Sequence, residues 1–465
     1  MKNTPLADVT AARRTDRPIL LSGGAVVTMD PTVPDLDAGD VLIVGDTIRA
    51  VGADLRTDPE HAAIAASALV IDTRGSIVSP GFVDTHRHAW EAQLRRSIPD
   101  VTDLGAYVMS TLSGIAPAYT PDDMYVGTRL AALTALDAGI TTMLDFSHNS
   151  RTAAHSDAAV TALVDSGIRG VHASMAPHFG AWDEQWPGDL RRLLDTFDGA
   201  GDGRITLRLA ALAGEGIGGE YNVFGPRLAA AARELGVWTS IDAVFGEASS
   251  DAILRWQAEG ILGPDVTLIH ATGLRSDAWR AIADTGATIS LAPTSDAQIG
   301  LETAIPAIDE ALAVGIRPGL SIDVEVALAS DMFTQMRALH AIQRMRAVNA
   351  TYGEGEPQSR ISTRDVLEFA TLRGAEANGL GQVTGSLTPG KQADVLVVRA
   401  DDINNMPLND AVGTLVLGAD ARNIEAVFVA GEPRKWDREL VGVDVAALRS
   451  DVTSSRDAIQ ARTAS

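Results

Sequence analysis

Residues 79–88 read Ser-Pro-Gly-Phe-Val-Asp-Thr-His-Arg-His. A Pro80-Gly81 turn releases a short apolar run that ends on two histidines, His86 and His88. On a strand, residues i and i+2 point to the same side. The two imidazoles therefore share one face and Arg87 takes the other. An apolar strand delivering polar groups at its C-terminal end suits a parallel sheet whose faces are covered and whose strand ends carry the chemistry. The fold then depends on whether this unit recurs.

It recurs along the chain. "ITTMLDF", "IRGVHASM", "ITLRLAAL", "VWTSIDA", "VTLIHAT", "ATISLAP" and "RPGLSID" have the same character. Between them lie Ala/Leu-rich stretches with helical spacing, such as "PDDMYVGTRLAALTALDAG" and "PRLAAAARELG". Most close on a glycine (Gly139, Gly167, Gly236, Gly260, Gly286, Gly315), the residue preferred just past a helix end. Eight strand–helix units predict an α/β fold, a (β/α)8 TIM barrel. An open doubly wound sheet is disfavoured, because no Gly-x-Gly-x-x-Gly follows an early strand. Residues 18–78 and 386–433 are strand-rich and rich in turns, "TLVLG" among them. They predict a small β-sandwich domain built from both chain ends. The expected division is 1–78, 79–385 for the barrel, and 386–465, with a surface helix from Val443 onward.

The 465 residues carry 38 basic and 61 acidic side chains, a net charge of −23. That disfavours a nucleic-acid backbone or an anionic membrane as partner and leaves a small neutral organic substrate open. Cysteine is absent, so disulfides, thiolate ligands and cysteine nucleophiles are excluded. The N-terminal stretch has no apolar core of the signal-peptide kind, and no apolar run reaches the ~18 residues a membrane span needs. A soluble, cytoplasmic protein and a homo-oligomer are expected.

Strand ends select the site residues. The first strand ends on His86 and His88, the fifth on Asp242, the sixth on His270 and the eighth on Asp323. Two neutral imidazoles on one face make a ready pair of divalent-metal ligands, although a lone His-x-His can equally be two hydrogen-bonded histidines in a loop. His270 alone could be a satisfied core histidine; at the mouth of a barrel that already holds His-x-His it reads as a ligand or a group that orients water. A buried Asp323 is costly unless paired or metal-bound; it can ligate the metal and accept a proton from bound water, or simply cap a helix. Trp90, Gln93, His148, His178, Glu215 and Phe245 are candidate pocket residues. The aromatic loop "APHFGAWDEQW" suits an apolar substrate. His61, His155 and His340 fall away from strand ends and are expected at the surface. Alternation sets Arg87 opposite the histidines.

"GSIVSPGFVDTHRHAW" and the closing "GSLTPGKQADVLVV" resemble the opening and closing signatures of the amidohydrolase superfamily. "ITTMLDFSH", "VTLIHATGL", "LAPTSDAQIG" and "LSIDVEVALASDMFTQMRA" resemble its triazine-hydrolase and cytosine-deaminase-like branch. The likeness runs over about residues 18–435. It implies one divalent metal ion per subunit (cobalt or zinc, with manganese also suited), His86 and His88 as the first ligand pair, and His270 as ligand or water holder. It implies Asp323 as ligand and general base, and Lys391 as a structural residue. Asp323 and His270 are thus the catalytic candidates.

The fifth strand departs from the family pattern. A histidine ligand is expected there, followed three residues on by a proton-shuttling glutamate. This chain has Asp242 and Phe245, and the nearest acid, Glu247, is out of register. Asp242 either ligates the metal, adding negative charge and raising the pKa of bound water, or makes a structural hydrogen bond. The missing glutamate favours a substrate with a good leaving group, and this make-up resembles hydrolases of synthetic ureas and carbamates. The first expectation is therefore attack of metal-bound hydroxide on the carbonyl carbon of a small thiocarbamate such as molinate (or a carbamate or urea), releasing a thiol or amine. The alternative is deamination of a heteroaromatic ring such as an s-triazine or purine. A non-catalytic member of the fold is disfavoured by the retained His86, His88, His270 and Asp323.

Overall fold

The computed structural model describes residues 4–214, 217, 219–301, 303–353 and 359–464. Its centre is an eight-stranded parallel sheet in sequential order: β1 (Phe82–Arg87), β2 (Ile140–Ser147), β3 (Arg169–Ser174), β4 (Ile205–Leu212), β5 (Trp238–Asp242), β6 (Val266–Ile269), β7 (Thr288–Leu291) and β8 (Gly319–Leu320). β1, β2 and β3 are buried at every residue. The continuous apolar runs arise because helices cover the outer face while side chains fill the inner one. Pro121–Asp137, Ala153–Ser166, Pro226–Leu235, Gly246–Ala258 and Ser276–Thr285 are among those helices. Pro121–Asp137 starts with a capping box, in which Thr120 and Asp123 satisfy each other's backbone N–H groups.

The ring closes between its ends, just beyond the two-residue β8. Asp323 N donates to His86 O at 2.9 Å and His88 N donates to Asp323 O at 3.3 Å. Closure therefore runs through the residues expected at the site. At the entry to β1, Gly81 is forced by close packing, since a Cβ there would lie 2.0 Å from Thr141 Oγ1.

The chain ends join in one sheet of nine strands. Ser76–Pro80, from the N-terminal segment, pairs antiparallel with Val395–Arg399 of the C-terminal one. Both ends contribute, as the sequence suggests, and the hydrogen bonding runs from Ile19–Val26 through Ser76–Pro80 to Val395–Arg399. Phe428, Trp436, Ile43 and Val395 pack in its own core. Lys391 ties the closing segment, donating through Nζ to Ser386 Oγ at 2.8 Å and Thr384 O at 3.2 Å. "TLVLG" (Thr414–Gly418) is helical rather than extended; an apolar run this short has no periodicity to separate helix from strand. The last helix, Val445–Thr463, is pinned to the barrel: Ser455 Oγ donates to Asp123 Oδ1 at 2.6 Å and Arg462 Nε to Ala118 O at 2.7 Å. No helix among the described residues is long and apolar enough to cross a membrane.

Two histidine expectations need correction. His155 is buried, its Nδ1 against Thr152 Oγ1 at 2.8 Å and its Nε2 against Tyr119 O at 3.2 Å, because its helix face packs inward. His61 and His340 are half-buried rather than surface groups.

Candidate active site

The C-terminal ends of β1, β5, β6 and β8 bring five side chains together. Asp323 lies at the centre: its Oδ1 is 3.0 Å from His86 Nε2 and 3.1 Å from His88 Nε2, and its Oδ2 is 3.7 Å from His270 Nε2. Asp242 Oδ1 stands 3.7 Å from His86 Nε2. His270 (φ 64°) and Asp323 (φ 70°) leave their strands in the left-handed region that non-glycine residues seldom adopt. Such conformations persist where the surrounding structure over-determines them, as at functional sites.

Outer partners aim the rings. His270 Nδ1 lies 2.7 Å from Asp296 Oδ1 and His88 Nδ1 donates to Phe146 O at 3.3 Å, leaving both Nε2 atoms to face the cluster. Ser295 Oγ donates a short hydrogen bond to Asp323 Oδ2. Burial alone would raise the Asp323 carboxyl, but His270, His86 and His88 hold it well below the usual carboxylate range. Burial would lower the imidazoles; the carboxylates of Asp323 and, for His270, Asp296 outweigh it and hold His88 and His270 at about 9. For His86 burial prevails and the pKa is lowered.

The donor set fits a divalent metal. His86, His270 and Asp323 form one group, and His86, His88 and Asp242 another, with donor atoms within 4.8 Å of one another. Donors on a tetrahedral ion at ~2.0–2.1 Å lie ~3.3 Å apart, close to the separations here. Asp242 Oδ1 is buried with no hydrogen-bond partner, a costly arrangement unless a cation satisfies it. A bound divalent ion would supply Lewis acidity and lower the pKa of a water molecule. Replacing Asp242 with asparagine is accordingly expected to weaken metal binding at least tenfold, measured by metal content after dialysis. Unchanged occupancy would remove Asp242 from the ligand set.

Above the cluster lies a pocket with apolar walls from Leu104, Leu112, Leu212, Ile217, Ile299 and Leu301, joined by Tyr107, His148, His178 and Phe245. His148, His178 and Phe245 thus stand where the sequence suggests. Trp90 and Gln93 do not line the pocket. The chain after His88 turns into the Ala89–Leu94 helix, which buries both beneath the wall. The Trp90 ring packs edge-on against Tyr119 and His148, with centroids 4.8 and 5.4 Å away, and Gln93 Nε2 donates to Asp123 O at 3.0 Å. Glu215 lies outside the described residues. Of the aromatic loop, His178 alone among the described residues reaches the pocket; Trp182 packs on Tyr221 and Trp186 Nε1 donates to Ser174 O at 3.0 Å. Glu247 is exposed and paired with Arg275.

Sequence reasoning missed Ser295, Asp296, Tyr107 and Glu91. Tyr107 donates to Glu91 Oε1 at 2.6 Å, and burial raises the Glu91 carboxyl to about 7 against the opposing His88 and Tyr107. Ser295 and Asp296 follow the seventh strand directly, so the strand-end rule could have found them. Tyr107 lies on a separate short helix, Leu104–Tyr107, and carried no such signal.

Comparison with known proteins agrees with this architecture. The chain is 26% identical over 459 residues to a 5'-deoxyadenosine deaminase of Methanosarcina mazei, covering 96% of this chain and 99% of that protein. It is 28% identical over 393 residues to a 5-methylthioadenosine/S-adenosylhomocysteine deaminase of Desulfitobacterium hafniense, covering 82% and 86%. In fold it is similar to a zinc-bound adenosine deaminase of Xanthomonas campestris (TM-score 0.80, 20% identity, 95% and 98% covered). It is equally similar to an atrazine chlorohydrolase variant of Arthrobacter aurescens complexed with zinc and atraton (TM-score 0.80, 22% identity, 94% and 99% covered). The amidohydrolase family model matches residues 77–434, which span the whole barrel together with the Val395–Arg399 and Ile424–Val429 strands, so this chain is a hydrolytic enzyme and belongs to the amidohydrolase family.

Proposed function

We propose that this enzyme is a metal-dependent aminohydrolase of a small heteroaromatic ring of the purine or s-triazine kind. The observation that carries this is the five-donor cluster at the base of an apolar pocket, in a chain similar over nearly its full length to deaminases of adenine nucleosides. Water adds to the ring carbon bearing the amino group, the C–N bond breaks, and ammonia leaves. Asp323, held as a carboxylate, is placed to accept the water proton and return it to the leaving nitrogen.

One observation favours a second reading. Phe245 lines the pocket where the family resemblance calls for a glutamate. A thiolate leaves without protonation, so a thiocarbamate such as molinate needs no such acid. The test is ammonia release from 5'-deoxyadenosine, 5-methylthioadenosine and an aminotriazine, measured beside thiol release from molinate with the metal-loaded enzyme. Ammonia is the expected product. Thiol without ammonia would overturn the ring reading in favour of the second, and neither product would reject both.

A further inference from the structure

His148 and His178 stand apart from the metal-ligand cluster yet share its pocket. They form a ladder of edge-on rings leading away from the ligands, with centroids 4.2 Å apart from His88 to His148 and 5.0 Å apart from His148 to His178. A ring-sized substrate bound over the cluster would share one pocket with this ladder. His148 is 2% exposed, and neither of its ring nitrogens has a hydrogen-bond partner. Buried polar groups are ordinarily satisfied, so the two His148 nitrogens mark this part of the wall as suited to a polar partner.

His178 determines what that edge presents. Its Nδ1 lies 3.2 Å from Ile217 O. A carbonyl only accepts, so Nδ1 carries the proton. Burial lowers the imidazole to about 4, outweighing the opposing bond to Ile217 and the Asp242 charge, which keeps the ring neutral near pH 7. A neutral ring protonated at Nδ1 has an acceptor at Nε2.

We propose that His178 is a specificity-determining residue: its Nε2 accepts a hydrogen bond from an N–H on the nitrogen attached to the reacting carbon, with His148 completing the same polar wall. The proposal deepens the aminohydrolase reading and rests on it for where the reacting carbon lies. It makes the enzyme selective for primary or secondary nitrogen over dialkylated nitrogen.

The test compares two matched pairs on the metal-loaded enzyme: 5'-deoxyadenosine with its N6,N6-dimethyl derivative, and an N-monoalkyl thiocarbamate with its N,N-dialkyl counterpart. Affinities are read by stopped-flow tryptophan quenching before turnover. The N–H member of a pair is expected to bind about tenfold more tightly, the scale of one neutral hydrogen bond. His178→Phe should bring that ratio to near one, and His178→Gln, whose amide oxygen accepts, should restore it. A ratio near one in the wild-type enzyme, a ratio that persists in His178→Phe, or failure of both N–H members to bind would overturn the proposal. The aminohydrolase reading fails separately, by absence of ammonia, since the ratio can still hold within the thiocarbamate pair.

Discussion

Replacing Asp323 with asparagine is expected to lower kcat/KM about 10⁴-fold, equivalent to ~5.5 kcal/mol of transition-state stabilisation. The amide keeps the shape of the carboxylate and can still accept from Ser295, but it can neither take up a proton nor carry charge. Asp323 also faces three imidazoles at once, with His86 and His88 at 3.0 and 3.1 Å and His270 at 3.7 Å. Removing its charge leaves only Glu91 and Asp242 to oppose burial around His88, whose pKa should then fall from about 9. Steady-state kinetics on variant protein of measured metal content separates lost chemistry from lost metal. A variant that binds metal and keeps more than a tenth of wild-type kcat/KM would remove Asp323 from the proton-transfer role.

Arg87→Ala should cost about 3–5 kcal/mol of stability, the usual consequence of stripping one partner from a buried ion pair. Arg87 is fully buried on the helix side of β1, with its Nε 3.2 Å from Asp84 Oδ2 and 3.3 Å from Glu325 Oε1. It also donates to Ser330 O at 3.0 Å and Ala131 O at 3.2 Å. Glu325 would keep Arg95, at 2.7 Å. Asp84, already raised to about 7 by burial against the pull of Arg87, would lose that cation. A folded pKa above the unfolded one favours the fold at low pH, and that benefit is lost as pH rises through the folded value. The deficit of the variant should therefore shrink below pH 7, where Asp84 takes up a proton, and widen above it. Urea unfolding at pH 6 and pH 8 measures both effects. A deficit under about 1 kcal/mol at pH 8 would show that Asp84 is stabilised by other groups.

The legible part of the site was the part that obeys a local rule. His86 and His88 follow from strand alternation alone, and Asp242, His270 and Asp323 follow from where apolar runs stop. Trp90 and Gln93 defeated the same reasoning because the backbone after β1 turns at once into a short helix, and nothing local states which side of that helix meets the barrel. Tyr107 was invisible for a different reason: it reaches the pocket through the packing of a separate helix, with no periodic signal of its own. Strand content at both chain ends says that the ends build one β unit, whereas which strands become neighbours depends on long-range register, here the pairing of Ser76–Pro80 with Val395–Arg399.

By itself the sequence determined the eight-fold alternation, hence the parallel barrel, and the identity of the groups at its strand ends, because both depend on periodicities of two and 3.6 residues that are local properties of the chain. Only the tertiary structure decided that Asp323 sits among three imidazoles, that Arg87 is locked between two carboxylates, and that His148 and His178 lead out of the cluster as a ladder of rings. Those facts depend on distances between residues far apart in the chain, which ring closure and side-chain packing set together.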